Sequence, residues 1–257
     1  MVRKLLKRGY ASLVYLFLYL PIFFLILYSF NDSKYRGKWN GFTLRWYEEL
    51  LKDKAIMAAL YNTFMIALLA AIISTIVGTI SAIAIHKMSS KWKVIFMNVT
   101  YIPVMNPDIV IGISLLALFV ALNMRLGFFT LLLAHITFNI PYVILAVLPK
   151  LKQLNPYLEE AALDLGATPI YAFFKVVLPE IMPGVITGAL LAFTLSLDDF
   201  MVSFFTTGSG VNTLSIRVYS MTKVGVSPKI NALSTVLFLG VLGLLILLQK
   251  REKNLNE

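Results

Sequence analysis

Six long apolar stretches constrain this chain more than any other feature of its sequence. A helix needs about 20 residues to cross the hydrocarbon core of a bilayer. Backbone groups find no water to bond with in lipid, and the stretches are too long for barrel strands, so each must be helical. The sequence therefore predicts an all-α polytopic membrane protein with six transmembrane helices, near residues 10–30, 60–85, 95–122, 128–149, 181–205 and 231–249.

The composition agrees with a membrane location and excludes several classes of function. Hydrophobic residues make up 59% of the chain and charged residues 14%, whereas a soluble domain carries about 25% charged residues. The net charge of +10 fits Lys and Arg anchors beside membrane helices rather than binding of nucleic acid. Because there is no Cys and there are only 2 His residues, no metal and no cofactor are predicted.

The basic residues also indicate how the helices are oriented. The first apolar stretch is too long for a signal peptide and lacks a cleavage site, so it is interpreted as an uncleaved anchor. With the N-terminus inside, the inner segments hold 13 Lys and Arg residues and the outer segments hold 10. This bias predicts cytoplasmic N- and C-termini. We expect a single integral membrane domain over 1–257, made of an N-terminal helix at 10–30 and a five-helix core at 58–249.

The longest inner loop, at 150–180, has the pattern of a helical hairpin. Asn155 stands before a proline, which is a helix start, and Gly166 supplies a left-handed stop. Thr168 before a second proline repeats the start signal. We expect this second short helix to end before Leu178, because another proline follows that residue.

The first helix of this loop has a small apolar face with acidic neighbours. The apolar positions at helical spacing are Leu158, Ala161, Ala162 and Leu165, and the acidic ones are Glu159, Glu160 and Asp164. Such a face suits insertion into a groove of a partner protein. The alternative is a loop that packs only on its own helix ends.

The loop also resembles a known motif. The residues E-A-A-L-D-L-G-A at 160–167, followed by V-V-L-P at 176–179, resemble the EAA motif of ABC-transporter permeases and depart from it only at Val176, where the motif usually has Ile. The resemblance implies a type I ABC importer permease fold, also called MetI-like, and docking of this loop on an ATPase subunit. The coupling residues that it implies are Glu159, Glu160, Ala161, Ala162, Asp164, Gly166, Leu178 and Pro179.

The same resemblance implies partners and a location. The partners are two copies of an ATP-binding cassette subunit, a sister permease subunit in a heterodimer, and a periplasmic or lipoprotein substrate-binding protein that docks on the outer loops at 31–57 and 206–230. The location is the bacterial inner membrane, within the lipid bilayer. The chain has no G-x-x-x-x-G-K-[ST] loop to hold nucleotide phosphates, so we expect ATP hydrolysis on a partner chain and no enzyme activity here.

A second resemblance concerns the cargo. Four blocks are similar to the permeases of spermidine/putrescine importers, and in particular to the second of their two membrane subunits. The blocks are F-T-L-R-W-Y at 42–47, P-D-I-V at 107–110, L-D-D at 197–199 and V-G-V-S-P at 224–228. This resemblance implies a small organic cation as the substrate.

Three carboxylates within the apolar stretches agree with a cationic cargo. Asp108 lies inside the third stretch, after Pro103 and Pro107, which interrupt helical hydrogen bonding. Asp198 and Asp199 lie deep in the fifth stretch. A carboxylate in the bilayer is costly unless it meets a cation, a hydrogen-bond donor or water, so all three are candidates for the substrate path. The alternative is that they cap helix ends or bond across helices.

Other classes of protein stay open as alternatives. An intramembrane enzyme would need a triad such as Asp108, His135 and Ser114, but no nucleophile motif surrounds the serine. A secondary transporter also has broken helices and buried carboxylates, but that class leaves the EAA loop unexplained. An ABC permease for another small solute is the third alternative.

Overall fold

The computed structural model describes residues 2–33, 38–225 and 227–255. Residues 34–37, in the predicted outer loop, and Val226, in the fourth resemblance block, lie outside the described residues. The described chain is helical, and its one strand-type pairing is an isolated antiparallel bridge between Asn31 and Phe42. The prediction of an all-α protein is therefore confirmed.

The helices of the described chain follow one another with short connections. They are α1 (Val2–Ser29), α2 (Arg45–Lys52), α3 (Lys54–Lys87), α4 (Ser90–Met105), α5 (Asp108–Ala121), α6 (Phe128–Gln153), α7 (Tyr157–Asp164), α8 (Pro169–Ala172), α9 (Leu178–Asp198), α10 (Met201–Thr206), α11 (Leu214–Val224) and α12 (Pro228–Leu255). A π-helical turn, Phe173–Val177, joins α8 to α9.

Four stretches of helix in the described residues are long and apolar enough to cross a membrane. They are Lys7–Ser29, Lys54–Lys87, Phe128–Gln153 and Pro169–Asp198. The pair α4 and α5 makes a fifth candidate, bent by 107° at the break between its helices. The sixth predicted span, 231–249, lies within α12, but many of its side chains lie outside the described residues. The count of six therefore stays a prediction.

The bend between α4 and α5 lies at one of the two prolines that were predicted to interrupt the helix. Pro107 stands between the helices as the N-cap of α5, so the predicted interruption is confirmed there. Pro103 lies inside α4, which continues to Met105. A proline inside a membrane helix is tolerated where the surroundings satisfy the freed backbone groups. The third apolar stretch, 95–122, is thus two helices rather than one.

Two compact units make up the chain. The first comprises Met1–Met57 and Arg217–Glu257 and contains α1, α2 and α12, which pack on one another. In α2 the side chains of Trp46 and Leu50 are buried, and the Trp46 indole Nε1 donates to the Asn31 carbonyl over 2.8 Å. The predicted division into an N-terminal helix and a five-helix core stays a prediction.

The second unit, Ala58–Ile216, is built around α6 and α9. Small residues let the two helices approach closely, as in small-xxx-small packing of membrane helices. A Cβ on Gly184 would lie 3.0 Å from the Ala146 carbonyl oxygen, and a Cβ on Gly188 would lie 3.2 Å from the Val143 Cα. The helix α6 also stays continuous through Pro141, although a proline inside a helix removes one backbone hydrogen bond.

Candidate functional site

The loop that carries the EAA motif folds as a hairpin, named here the EAA hairpin (residues 155–177). The Asn155 Oδ1 accepts a hydrogen bond from the Tyr157 amide over 3.1 Å at the start of α7. At the end of α7, Gly166 has a φ of +86°. Its amide donates to the Leu163 carbonyl over 2.9 Å. This left-handed stop is the predicted one, because only glycine adopts that conformation without cost.

The second arm of the EAA hairpin differs from the prediction. The Thr168 hydroxyl oxygen accepts from the Tyr171 amide over 3.3 Å, so the predicted helix start is confirmed. The predicted end before Leu178 is wrong, because the chain continues through the π turn into α9. The Leu178 amide donates five residues back to the Phe173 carbonyl. This wider turn continues the helix into α9. Pro179 stands in the first turn of α9, where a residue without an amide hydrogen is tolerated.

The end of the EAA hairpin is exposed and apolar. The residues Leu165 and Ile170 are 89% and 72% exposed. A shallow groove between the two arms is lined by Ala162, Leu165, Gly166, Ala167, Thr168, Tyr171 and Val176. Exposed apolar surface of this kind, rimmed by polar residues, marks an interaction site. The alternative that the loop packs only on its own helix ends leaves this surface unexplained.

The acidic residues of α7 differ in their surroundings, since two are exposed and one forms an ion pair. Glu160 and Asp164 are exposed. Glu159 instead pairs with Lys87, whose Nζ lies 2.7 Å and 2.8 Å from its two carboxylate oxygens. Lys87 is the last residue of α3 and lies 72 positions away in sequence. Reasoning from the sequence missed Lys87, because no local signal pairs a lysine with a carboxylate so distant in the chain.

The three predicted path carboxylates lie in different surroundings. Asp108 begins α5 just after the bend and is exposed, and Asp198 ends α9 and is also exposed. Asp199 lies between α9 and α10, and its side chain is only 7% exposed. Its carboxylate accepts from the Val202 amide over 3.2 Å and from the Ser203 amide over 2.7 Å. Asp199 therefore caps the start of α10, which is the structural alternative to a place on the path.

A row of buried hydrogen bonds fastens α6 to the broken helix α9–α10. The Thr130 hydroxyl donates to the Thr206 carbonyl over 2.9 Å, and the Asn139 amide donates to the Ser196 hydroxyl over 2.7 Å. Between them, the His135 Nε2 lies 3.0 Å from the Ser203 Oγ. The spacing of four residues between His135 and Asn139 is the local signal for such contacts, because it places these two side chains on one face of a helix.

The surroundings of His135 also bear on the enzyme alternative, because the polar partners of its ring are Ser203 and Asp199 rather than the Ser114 and Asp108 of that triad. The His135 Nε2 contacts the Ser203 Oγ at 3.0 Å and lies 3.6 Å from the Asp199 Oδ2. A catalytic triad needs the base to use one ring nitrogen for the nucleophile and the other for the carboxylate. Here one nitrogen faces both groups, and Ser203 is fully buried. The arrangement holds helices together and offers no route for a nucleophile.

Comparison with known proteins adds to this geometry. Residues 74–250 match the family described as "Binding-protein-dependent transport system inner membrane component". The spermidine/putrescine transport system permease protein PotC of Escherichia coli (strain K12) is 41% identical over 237 residues, which cover 92% of this chain and 90% of that protein. The putrescine transport system permease protein PotI of the same strain is 44% identical over 235 residues, covering 89% and 83%.

A solved structure is similar in fold. It is the crystal structure of a bacterial ABC transporter involved in the import of the acidic polysaccharide alginate, with a TM-score of 0.74 and 14% identity, covering 97% of this chain and 96% of that chain. At this identity the likeness concerns the fold alone. From the family match and the two relatives, the chain belongs to the binding-protein-dependent transport system inner membrane components, and it is a non-catalytic permease subunit of an ABC importer.

Proposed function

We propose that this permease subunit imports polyamines such as spermidine and putrescine. The observation that carries the proposal is the identity of 41% and 44% with two permeases named for these cargoes, over most of each chain. Two exposed carboxylates at helix ends, Asp108 and Asp198, support it. Polyamines are cationic, and a carboxylate at membrane depth becomes favourable when it meets a cation.

Within this proposal the three aspartates have different roles. Asp108 and Asp198 line the substrate path, because both residues are exposed and, within the described part of the chain, no helix-end amide donates to either carboxylate. Asp199 does not contact the cargo in this proposal but positions α10 beside the path, since its two carboxylate oxygens accept from the first amides of α10. The two neighbouring aspartates thus differ in exposure and in hydrogen bonding.

The EAA hairpin is the proposed docking site for the ATPase subunit. Its exposed positions Glu160, Ala161, Asp164 and Gly166, together with half-buried Ala162, form the surface offered to the partner. Motion of the docked hairpin reaches α9 through the π turn, next to Leu178 and Pro179. Two copies of an ATP-binding cassette subunit would serve this chain and a sister permease subunit in a heterodimer.

The orientation follows from the position of the hairpin. ATP is cytoplasmic, so a hairpin that docks on an ATPase lies on the cytoplasmic side, as do the N- and C-termini in the proposed topology. The segments at 31–57 and 206–230 then face outward, where a substrate-binding protein delivers cargo. The chain resides in the bacterial inner membrane as a multi-pass protein, which agrees with the description of its family.

Uptake measurements with the reconstituted transporter test the cargo. We expect ATP-dependent uptake of radiolabelled putrescine that unlabelled putrescine or spermidine blocks and that maltose or phosphate leaves unchanged. Uptake that follows an ion gradient instead of ATP, or that polyamines do not inhibit, would refute the proposal.

Variants then test the path. Asp198→Asn keeps the size of the side chain and removes its charge, and we expect uptake to fall by about tenfold or more, because a bond to a charged group contributes about 1.5–3 kcal/mol. The matched control is Glu252→Gln, which neutralises a carboxylate near the end of α12, outside the segments assigned to cargo delivery. Equal uptake in both variants would remove Asp198 from the path.

A separate variant tests the coupling role of the EAA hairpin. Gly166→Val forces a β-branched residue into the left-handed conformation at a φ of +86°, which shifts the end of α7. We expect ATP turnover to continue while uptake falls. Normal uptake with normal turnover would contradict the assignment.

A further inference from the structure

The ion pair between Lys87 and Glu159 joins the EAA hairpin to a membrane helix other than α9. The lysine Nζ contacts both oxygens of the carboxylate, at 2.7 Å and 2.8 Å. The Glu159 side chain is 32% exposed and that of Lys87 is 59% exposed. Because Glu159 is committed to its own chain, the partner-facing acidic residues of α7 are Glu160 and Asp164.

The helix that carries Lys87 is built to transmit a displacement. From Thr63 to Lys87, α3 is uninterrupted and contains no proline. At 1.5 Å per residue this stretch is about 36 Å long, which exceeds the hydrocarbon thickness of about 30 Å. Kinks in helices occur at a proline, at Gly/Ser pairs, at a π bulge or where a group inserts, and α3 is one unbroken helix through Gly78. This part of α3 is therefore a stiff element that spans the membrane, and a displacement at one of its ends is carried to the other end.

The opposite end of this stretch is attached to the segment that follows α10. The Thr63 Oγ1 accepts from the Leu214 amide over 2.7 Å, and both residues are buried. One residue earlier, the Asn62 Nδ2 donates to the Asn212 carbonyl over 3.3 Å. The segment 207–214 comes directly after the helix that Asp199 caps. Both ends of α3 in this unit are thus tied to the regions that the proposed function uses.

We propose that α3 is a second transmission element, which carries motion of the EAA hairpin through the Glu159–Lys87 ion pair to the segment 207–214 on the far side of the membrane. The first route runs from the hairpin into α9 through the π turn. Glu159 and Lys87 are then positioning residues that act within this chain, and Glu159 does not contact the ATPase subunit. This inference rests on the proposed function, since it needs a hairpin driven by ATP.

Exposed ion pairs often contribute little, so the proposal needs a test of coupling rather than of stability. The complete transporter is reconstituted in liposomes, and ATP hydrolysed per putrescine imported is measured for the wild type, Lys87→Glu, Glu159→Lys and the double reversal. We expect each single reversal to raise this ratio by about fivefold or more, the low end of typical coupling effects. The double reversal restores the attraction and should bring the ratio back to within about twofold of the wild type.

Hydrogen exchange gives a readout that a merely structural ion pair would not change. In the wild type we expect nucleotide binding to alter exchange at the Leu214 amide. The change should disappear in Lys87→Glu and return in the double reversal. Lys91→Glu, which reverses an exposed lysine four positions after Lys87 in the sequence, is the matched control and should behave as the wild type. If the reversals prevent assembly, Lys87→Met removes the attraction without adding repulsion and is measured in the same way.

The outcomes separate the two proposals. If the wild-type complex imports putrescine and both single reversals keep the wild-type ratio of ATP hydrolysed to putrescine imported, the role of α3 is overturned while the proposed function stands. A double reversal that assembles but stays as uncoupled as the single variants does the same, because charge attraction is then not the cause. A wild-type complex without ATP-dependent uptake overturns the proposed function, and the role of α3 with it.

Discussion

The hydrogen bond from the Leu214 amide to the Thr63 hydroxyl allows a sharp prediction about local stability. Leu214 is the first residue of α11, where an amide has no partner within its own helix. The 2.7 Å bond to Thr63 satisfies it, and the two residues are 8% and 4% exposed. Thr63→Val has nearly the same shape but no oxygen to accept the bond, so a buried amide is left without a partner.

The magnitude follows from the cost of an unsatisfied buried donor, about 1–3 kcal/mol. Since about 1.4 kcal/mol is tenfold, the Leu214 amide should exchange about 5 to 150 times faster in Thr63→Val. Thr63→Ser is the matched control. It keeps the acceptor and loses one methyl group, worth about 0.8 kcal/mol when fully buried, so exchange at this amide should stay close to that of the wild type.

The measurement is hydrogen exchange by mass spectrometry on a peptide that covers 207–216, in detergent or nanodiscs. The Thr63 hydroxyl also donates to the Ala59 carbonyl over 2.9 Å, but that carbonyl lies within the regular bonding of α3, so its loss should cost little. Equal exchange in the Val and Ser variants would refute the reasoning, because it would show that the bond does not hold the start of α11.

Three further predictions concern packing, pH and capping. Gly188→Leu should lower the unfolding midpoint in detergent, since overpacking against α6 costs about 1–3 kcal/mol, while Gly240→Leu, where nothing lies within 4 Å, should not. Burial opposes ionisation of Asp53, but hydrogen bonds from backbone amides and the nearby Lys229 ammonium outweigh it and hold its pKa below the usual range. Because the folded-state pKa is lowered, the ionised carboxylate stabilises the fold at pH values above the unfolded-state pKa of about 4. Asp53→Asn should therefore be less stable than the wild type at neutral pH, and this difference in stability should vanish as the pH falls through the folded-state pKa. A difference that stays constant across the pH series would contradict this. Asp199→Ala should destabilise α10 by about 0.5–2 kcal/mol through loss of its cap, whereas Asp199→Asn keeps one acceptor and should lose less; equal midpoints for these two variants would count against capping.

The membrane helices and the EAA hairpin could be predicted from sequence because their signals are local. A long apolar stretch in lipid has no alternative to a helix. The turn at Gly166 needs only a residue that tolerates a positive φ, and the helix starts at Asn155 and Thr168 need only a side-chain acceptor. Each of these properties belongs to a few consecutive residues, and the structure shows all three.

Breaks in the helices were predicted less well, because a proline alone does not decide whether a helix ends. Pro107 ends one and Pro141 does not. In α6 the buried residues on both sides of Pro141 pack against α9, so tertiary contacts hold the helix together through the proline. The π turn before Leu178 has the same character, since it depends on how the hairpin joins α9.

Hydropathy and helix capping act over short distances, so the amino-acid sequence alone indicates that this chain lies in a membrane and carries a hairpin suited to a partner. The role of each carboxylate depends instead on tertiary packing. Neighbours in sequence, Asp198 and Asp199, separate into an exposed group and a buried helix cap. Glu159 finds Lys87 across 72 residues. Such pairings depend on how distant helices pack, and packing is a property of the whole unit rather than of any segment.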